Sequence, residues 1–461
     1  MCPHSTTDDT LIIAFDIGKN VHWLGCYDGR LNELIAPHKL RSDSQGFTQA
    51  TTEIDPLLQS GCFRCGVLGN EFTGVYHEPF AWLIQDHYAQ HMTPDAACPL
   101  EYRWLNPLLT RKRQAETTVR PRSSDKTSVW AVAACLADGL GHPAHLRQGA
   151  DAELRELVRA LEQLTSQQHH LFGQLLPQVD RLWPGAIVNL KQFQAAHPEL
   201  PPPTPIVGTH ALDRDRLAVL LLHCPDPYAA RALGASGLIR LFHDHGHRAG
   251  PKTVAPILQM LQHAPLPPPA VAAIYAQRLQ ADYQAYAALS ARQAITETAL
   301  AALVATTDAQ FVDSVPGISP TFAASYTSHI GNGAWFPSAG HIWAMAGFDL
   351  GAAESGDSKH FGHITKRGSP AFRSTLFQIG QHTAHHCPTI GLTYLAARAR
   401  GLDEVAATIH AAHKANRLCF TLLRERRPYT PAPAPEEQKF QRRWQRFQQR
   451  NTHRPAQRIA A

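Results

Sequence analysis

The sequence predicts an α/β domain over residues 1–145, long helices over 146–306 enclosing a helical insertion at about 206–264, a mostly α-helical domain over 307–427 and a basic tail over 428–461. Three observations carry this division. The apolar run Leu11–Phe15, closed by Asp16, is short enough for a fully buried strand and opens an alternation of strand-like and helix-like segments. Two later stretches, from Asp151 and from Ala270, repeat apolar residues at three-four spacing far longer than an ordinary helix needs. Beyond Asp313, small and aromatic residues gather around Pro-Gly and Gly-rich turns.

A chain of 461 residues with 44% hydrophobic content has room for roughly two to four globular domains. It has no long uncharged apolar run, and MCPHSTTDDT lacks the basic-then-apolar pattern of a signal peptide, so a soluble cytoplasmic protein with no membrane partner is expected. The nine cysteines are odd in number and lack framework spacing, which reads as reduced thiols; Cys62 and Cys65 form a CxxC with no second half for zinc. The net charge of +5 is mild, but it is unevenly spread. Arg103 to Lys126 holds seven Lys/Arg against two acids, and Arg424 to Arg454 nine against three, the kind of clustering that phosphate backbones attract.

In the first domain, Gly18 permits a tight turn from the Leu11–Asp16 strand into Val21–Tyr27, an opening hairpin of the kind that begins ribonuclease-H-like domains. Leu31–Pro37 continues the sheet, and Ser44–Leu58 reads as a helix. Cys65–Glu71 is the next buried strand, followed by Thr73, Gly74 and a helical stretch through Tyr76, Phe80, Leu83 and Ile84. Glu101–Leu105 is another strand, ending at Asn106 and Pro107. Ser123 and Ser124 then cap a helix that carries Asp125 and Ser128 one turn apart on one face.

Asp16, Glu71 and Asp125 thus arrive at the ends of separate elements. Carboxylates gathered in this way suit divalent ions that grip a phosphodiester. An early Asp-x-Gly also opens actin-like and sugar-kinase ATPases. Here Lys19 and Asn20 replace the phosphate-cradling hydroxyls, and no later Gly-rich loop completes such a site.

The first long helix carries Leu154, Leu157, Leu161, Leu164, Leu171 and Leu175 before Pro177; the second, about Ala270–Ala305, carries Leu279, Tyr283, Tyr286, Leu289, Leu300 and Leu303 with polar Gln293 and Thr296 interrupting. Such coiled-coil seams serve either an intramolecular hairpin or a dimerisation arm. Between them the stiff runs PPPTP and PLPPP bracket the insertion, whose HDHGH at His243–His247 reads as a solvated loop.

Asp313–Gly331 reads as a helix-hairpin-helix-like element, with Pro316 and Gly317 in the turn and backbone amides offered to phosphate. It is followed by Met345-Ala346-Gly347, then Ser355-Gly356, then Gly362-His363-Ile364-Thr365-Lys366-Arg367-Gly368. In this order and spacing the chain resembles the DEDD-type transposases of bacterial insertion sequences, known as bridge-RNA-guided recombinases. AFDIGK at 14–19, Glu71-x-Thr-Gly-x-Tyr76, Leu105-Asn-Pro107 and the Asp125 helix extend the resemblance to that family's RuvC-like domain. It covers about residues 10–145, the first long helix and 296–425.

The resemblance implies that Asp16, Glu71 and Asp125 bind Mg2+ and that Ser355 attacks DNA to form a phosphoserine link. It further implies double-stranded DNA as substrate, a structured guide RNA from the same element, and a homo-oligomer, dimer or tetramer, in which the acids of one subunit serve the serine of another. One position departs: the family's fourth acid is here Ser128, an uncharged and weaker ligand. Lys359, Lys366 and Arg367 follow Ser355 and suit phosphate neutralisation, and in the tail Arg442 and Arg443 interleave with Trp444 as a candidate nucleic-acid-binding arm. Alternative readings are a Holliday-junction-type nuclease that uses the acids alone and a catalytically inactive nucleic-acid-binding relative.

Overall fold

A computed structural model describes residues 8–72, 76–116, 124–144, 147–207, 212, 215–355 and 358–452, without the side chains of 215, 350–363 and 450–452. The chain divides into two compact units, residues 1–147 and 148–461.

The N-terminal unit is built on one mixed sheet. Its strands are β1 (Thr10–Ile17), β2 (Val21–Tyr27), β3 (Glu33–Arg41), β4 (Cys65–Glu71), β5 (Leu100–Leu105) and the short β6 (His142–Pro143), in the order β3-β2-β1-β4-β5-β6. The three strands β1, β2 and β3 run antiparallel, whereas β4 and β5 lie parallel to β1. Four helices join them: α1 (Ser44–Gln59), α2 (His77–His87), α3 (Pro107–Glu116) and α4 (Asp125–Ala137). The β1 run is uninterruptedly apolar because both faces are covered. Leu11, Ile13 and Phe15 pack with Ile54, Leu58, Phe80 and Ile84 of α1 and α2, while Ile12 and Ala14 pack with Val129, Val132 and Leu136 of α4. The α4 helix sits so close that a Cβ on Gly69 would lie 2.7 Å from Leu136 Cδ2.

The C-terminal unit hangs on two long helices, α5 (Gly149–Leu182) and, after the insertion, α10 (Pro269–Val304). The insertion contributes α6 (Leu190–Ala196), α7 (Asp215–His223), α8 (Pro227–Asp244) and α9 (Pro251–His263). Gln168 Nε2 donates to Ser290 Oγ at 2.8 Å and Gln178 Nε2 to Asp282 Oδ2 at 2.7 Å, so the two helices run antiparallel and pair within one chain. The apolar seam is therefore consumed intramolecularly. It is not continuous, because its ends serve separate cores. Leu175, Val179, Ala272, Leu279 and Tyr283 pack with the insertion, whereas Leu154, Val158, Leu161, Leu300 and Val304 pack with the C-terminal helices.

Those helices are α11 (Ala309–Asp313), α12 (Pro320–Ile330), α13 (Ala339–Met345), α14 (Pro370–His386), α15 (Pro388–Ala399), α16 (Glu404–Glu425) and α17 (Ala434–Thr452), with a hairpin of β7 (Leu350–Ser355) and β8 (Ser358–Ile364) between α13 and α14. Small residues on α16 let α14 approach closely: a Cβ on Gly380 would lie 2.6 Å from Ala412 Cβ. Within the HDHGH stretch, His245 stacks on His223 at 3.5 Å and His243 Nε2 lies 3.0 Å from Ala249 O, so two of its histidines have partners in the fold. No helix among the described residues is long and apolar enough to cross a membrane.

Candidate active site

Sheet register brings the first two acids together. Phe15 lies opposite Asn70 in the parallel β1–β4 pair, so the next residues, Asp16 and Glu71, end neighbouring strands on the same side of the sheet. Alternation turns both toward the face that α4 covers, because Ile12 and Ala14 of β1 and Val67 of β4 pack there. Buried Asn70 fixes the end of β4, accepting from Tyr102 Oη at 2.6 Å and donating Nδ2 to Glu71 O at 2.7 Å.

The α4 helix supplies the remaining two positions from its first turns. Ser124 caps it in a reciprocal box: Ser124 Oγ accepts from Thr127 N at 3.3 Å, and Ser124 N donates to Thr127 Oγ1 at 3.0 Å. Asp125 and Ser128 follow at the spacing that shares a helix face. The Asp16 carboxyl is pushed up to about 6 from its usual 3.8, first by burial and then by the charges of Glu71 and Asp125, while a hydrogen bond from Ser128 acts in the opposite direction. The charges of Glu71 and Asp125 and the hydroxyl of Ser128 thus all act on Asp16. Asp138, at the other end of α4, is ion-paired with Arg113 and takes no part.

The donor set is all oxygen and crowded with negative charge, which suits a hard divalent cation. Among the described residues, no three His, Cys, Asp or Glu side chains close into a metal cage.

Sequence reasoning missed α3, which reaches this site. Asn106 Oδ1 accepts from Leu108 N at 2.9 Å and Pro107 occupies the first helical position, so an Asn-Pro start signal was present. Its Thr110 donates to Glu71 Oε1, and its Gln114 reaches α4.

The remaining predicted residues belong to the C-terminal unit. Ser355 is the last residue of β7, paired with Ser358, and Glu354 is opposite Lys359. Ser355 thus stands at a strand end; Gly356 and the side chains of Ser355 and Lys359 lie outside the described residues, as do Thr73 and Gly74. Lys366 and Arg367 are exposed in the turn leading to α14, with Lys366 in the left-handed region at φ 53°. Gly317, at φ 92°, is set by packing: a Cβ there would lie 2.9 Å from His382 O on α14. On α17, Arg442 and Arg443 are exposed, whereas Trp444 is half-buried against His385, Phe440 and Phe447. The apolar side of an amphipathic helix is drawn onto the domain, and only the arginine side is left to solvent.

Part of the C-terminal unit is similar in sequence to known proteins. Residues 309–395, from α11 through most of α15, match the sequence model of the Transposase IS116/IS110/IS902 family. The chain is also 24% identical over 214 residues to the Insertion element IS110 uncharacterized 43.6 kDa protein of Streptomyces coelicolor, an alignment covering 46% of this chain and 53% of that one. The chain thus spans about half the length of this curated relative.

Proposed function

We propose that this chain is a DNA transposase that cuts and rejoins double-stranded DNA, with Ser355 as nucleophile and with Asp16, Glu71 and Asp125 as Mg2+ ligands in a ribonuclease-H-like, RuvC-like domain. The observation that carries the reading is the match of residues 309–395 to an insertion-sequence transposase model, in a chain that also gathers three carboxylates at strand and helix ends. The sheet order, with β2 antiparallel between β3 and β1 and with β4 and β5 parallel to β1, supports the ribonuclease-H-like assignment.

Bound magnesium supplies charge neutralisation at phosphate oxygens and activates an attacking group. The chain's residues do the rest. Asp16, Glu71 and Asp125 supply the anionic donors, and the Ser128 hydroxyl favours the charged form of Asp16. In the serine step the Ser355 Oγ–P bond forms as the P–O bond to the departing sugar oxygen breaks. The serine proton passes to a base, and the leaving oxygen ends as a hydroxyl. Attack by another sugar hydroxyl reverses the exchange, so strands are rejoined without an external energy source. Lys366 and Arg367 offset the phosphate charge. The reading includes a guide RNA from the same element and a homo-oligomer in which one subunit's acids serve another's serine.

The test is covalent capture. Wild type incubated with element-end DNA and Mg2+ yields a protein–DNA adduct on a denaturing gel; Ser355→Ala binds DNA but yields none, and Asp16→Asn and Glu71→Gln are likewise blocked. An adduct at normal yield from Ser355→Ala sinks the serine assignment. Cleavage without an adduct identifies a junction-type nuclease, and binding without cleavage identifies an inactive relative.

A further inference from the structure

One face of α3 holds two of the four site positions from behind. Thr110 and Gln114 stand four residues apart and so share that face. Thr110 is 1% exposed, and its single proton has two acceptors, Pro107 O at 3.1 Å and Glu71 Oε1. The carboxylate is the nearer and the charged one, so it takes the proton. Gln114 Nε2 carries two hydrogens and directs them to Thr127 Oγ1 at 2.9 Å and, at longer range, to Ser128 Oγ at 3.4 Å. The Ser128 hydroxyl accepts from Gln114.

We propose that Thr110 and Gln114 are positioning residues for the acidic site: α3 is a rack whose hydroxyl fixes Glu71 and whose amide fixes Ser128. The inference rests on the reading of Asp16, Glu71 and Asp125 as ligands of a divalent cation. A rack matters more in this chain than it would with an acid at 128. A fourth carboxylate would be drawn to a cation by its own charge, whereas a neutral hydroxyl must be held in place by its neighbours. The paired donors also keep Glu71 and Ser128 from swinging into solvent, which shortens the search for a productive donor geometry.

The experiment uses the full chain without DNA and titrates Mn2+ and Mg2+ by calorimetry, with melting in EDTA as the control for folding. Thr110→Val keeps the shape and removes the hydroxyl; Thr110→Ser keeps the hydroxyl. Thr110→Val and Gln114→Leu each weaken Mn2+ affinity roughly 10- to 100-fold. Thr110→Ser stays within about threefold of wild type, as a retained donor requires. Should Thr110→Val fail to fold, Gln114→Leu at its half-buried position carries the same test. Wild-type affinity in both hydroxyl-free and amide-free variants overturns the rack. So does a loss in Thr110→Ser as large as in Thr110→Val, since the methyl rather than the hydroxyl would then matter. A wild type that binds neither ion removes the acidic-site reading and the rack with it, whereas a binding wild type with unaffected variants removes the rack alone.

Discussion

Gly347 and Gly368 pack backbone to backbone: a Cβ on Gly368 would stand 3.0 Å from Gly347 N and 2.2 Å from Met345 O. The two turns are zipped by Lys366 N donating to Gly347 O at 3.0 Å and Ser369 N to Met345 O at 3.2 Å. Arg373 staples them, its Nη1 donating to Ala346 O at 2.9 Å and to Lys366 O at 3.4 Å. The Ala-Gly and Lys-Arg-Gly motifs, twenty residues apart in sequence, are therefore one structural unit that presents Lys366 and Arg367.

Gly368→Ala tests that unit. With φ at 144° and a carbonyl in the way, the substitution costs about 2–4 kcal/mol and displaces the turn. The measurement is the melting temperature together with DNA affinity. Both fall, whereas Lys366→Gln and Arg367→Gln together lower affinity and leave melting unchanged. Wild-type melting in Gly368→Ala would show that the turn has room the packing denies.

How far the sequence could be read follows from which interactions are local. The Leu11–Phe15 run, its terminal Asp16 and the matching Cys65–Glu71 strand are legible because burial on both faces leaves a continuous apolar signature, and the first turn of α4 is legible because Ser124 caps it. The Thr110 and Gln114 contacts were not, since they span 39 and 14 residues and leave no periodic trace. The packing reason for Gly317 was not legible either, because only the distant α14 reveals why a side chain cannot fit there. The contacts of Trp444 with its own domain were hidden for a related reason. Arginines beside an aromatic look alike in sequence whether the ring faces a base or its own domain.

The tail separates by face. Trp444→Ala removes a half-buried ring from the His385–Phe440–Phe447 cluster and destabilises the domain by about 2 kcal/mol, less than a fully buried aromatic would. It leaves the salt dependence of nucleic-acid binding unchanged. Arg442→Gln with Arg443→Gln does the converse: melting is unchanged, and the slope of log affinity against log salt falls by about one per arginine that touches phosphate. A Trp444→Ala variant that flattens the slope at unchanged stability would restore the ring to the interface.

The two polar rungs of the long-helix pair differ in what they leave behind. In Gln178→Leu, Asp282 loses a 2.7 Å donor to a charged oxygen, at a cost of about 1–2 kcal/mol. In Gln168→Leu, Ser290 still donates to Tyr286 O at 3.1 Å, and the cost is about 0.5 kcal/mol or less. Urea unfolding of the two variants ranks them, and the reverse order would mean that Ser290, not Asp282, depends on its cross-helix partner.

Position 128 decides how charge is balanced at the acidic site. The native Asp16 holds its proton up to about pH 6, whereas an unfolded aspartate releases it near 3.8. Between those values the native state binds more protons, so this group's contribution to stability falls as pH rises through that window. Ser128→Asp removes a hydrogen bond that favours the Asp16 anion and adds another negative charge beside it. In chelator the Asp16 proton is then held to higher pH, and at pH 7 the variant is less stable than wild type by about 1–2 kcal/mol. Magnesium reverses the order. A fourth carboxylate on the face shared with Asp125 strengthens cation binding, and binding to the folded state alone restores stability by mass action. Melting curves in EDTA and across a magnesium titration, at pH 5 and pH 7, read both effects. Ser128→Ala serves as the reference that lacks the hydrogen bond without adding charge. A magnesium dependence identical in wild type, Ser128→Asp and Ser128→Ala would remove position 128 from the cation site. A Ser128→Asp variant no less stable than wild type in chelator at pH 7 would show that Asp16, Glu71 and Asp125 do not crowd one another as their placement at neighbouring strand and helix ends requires.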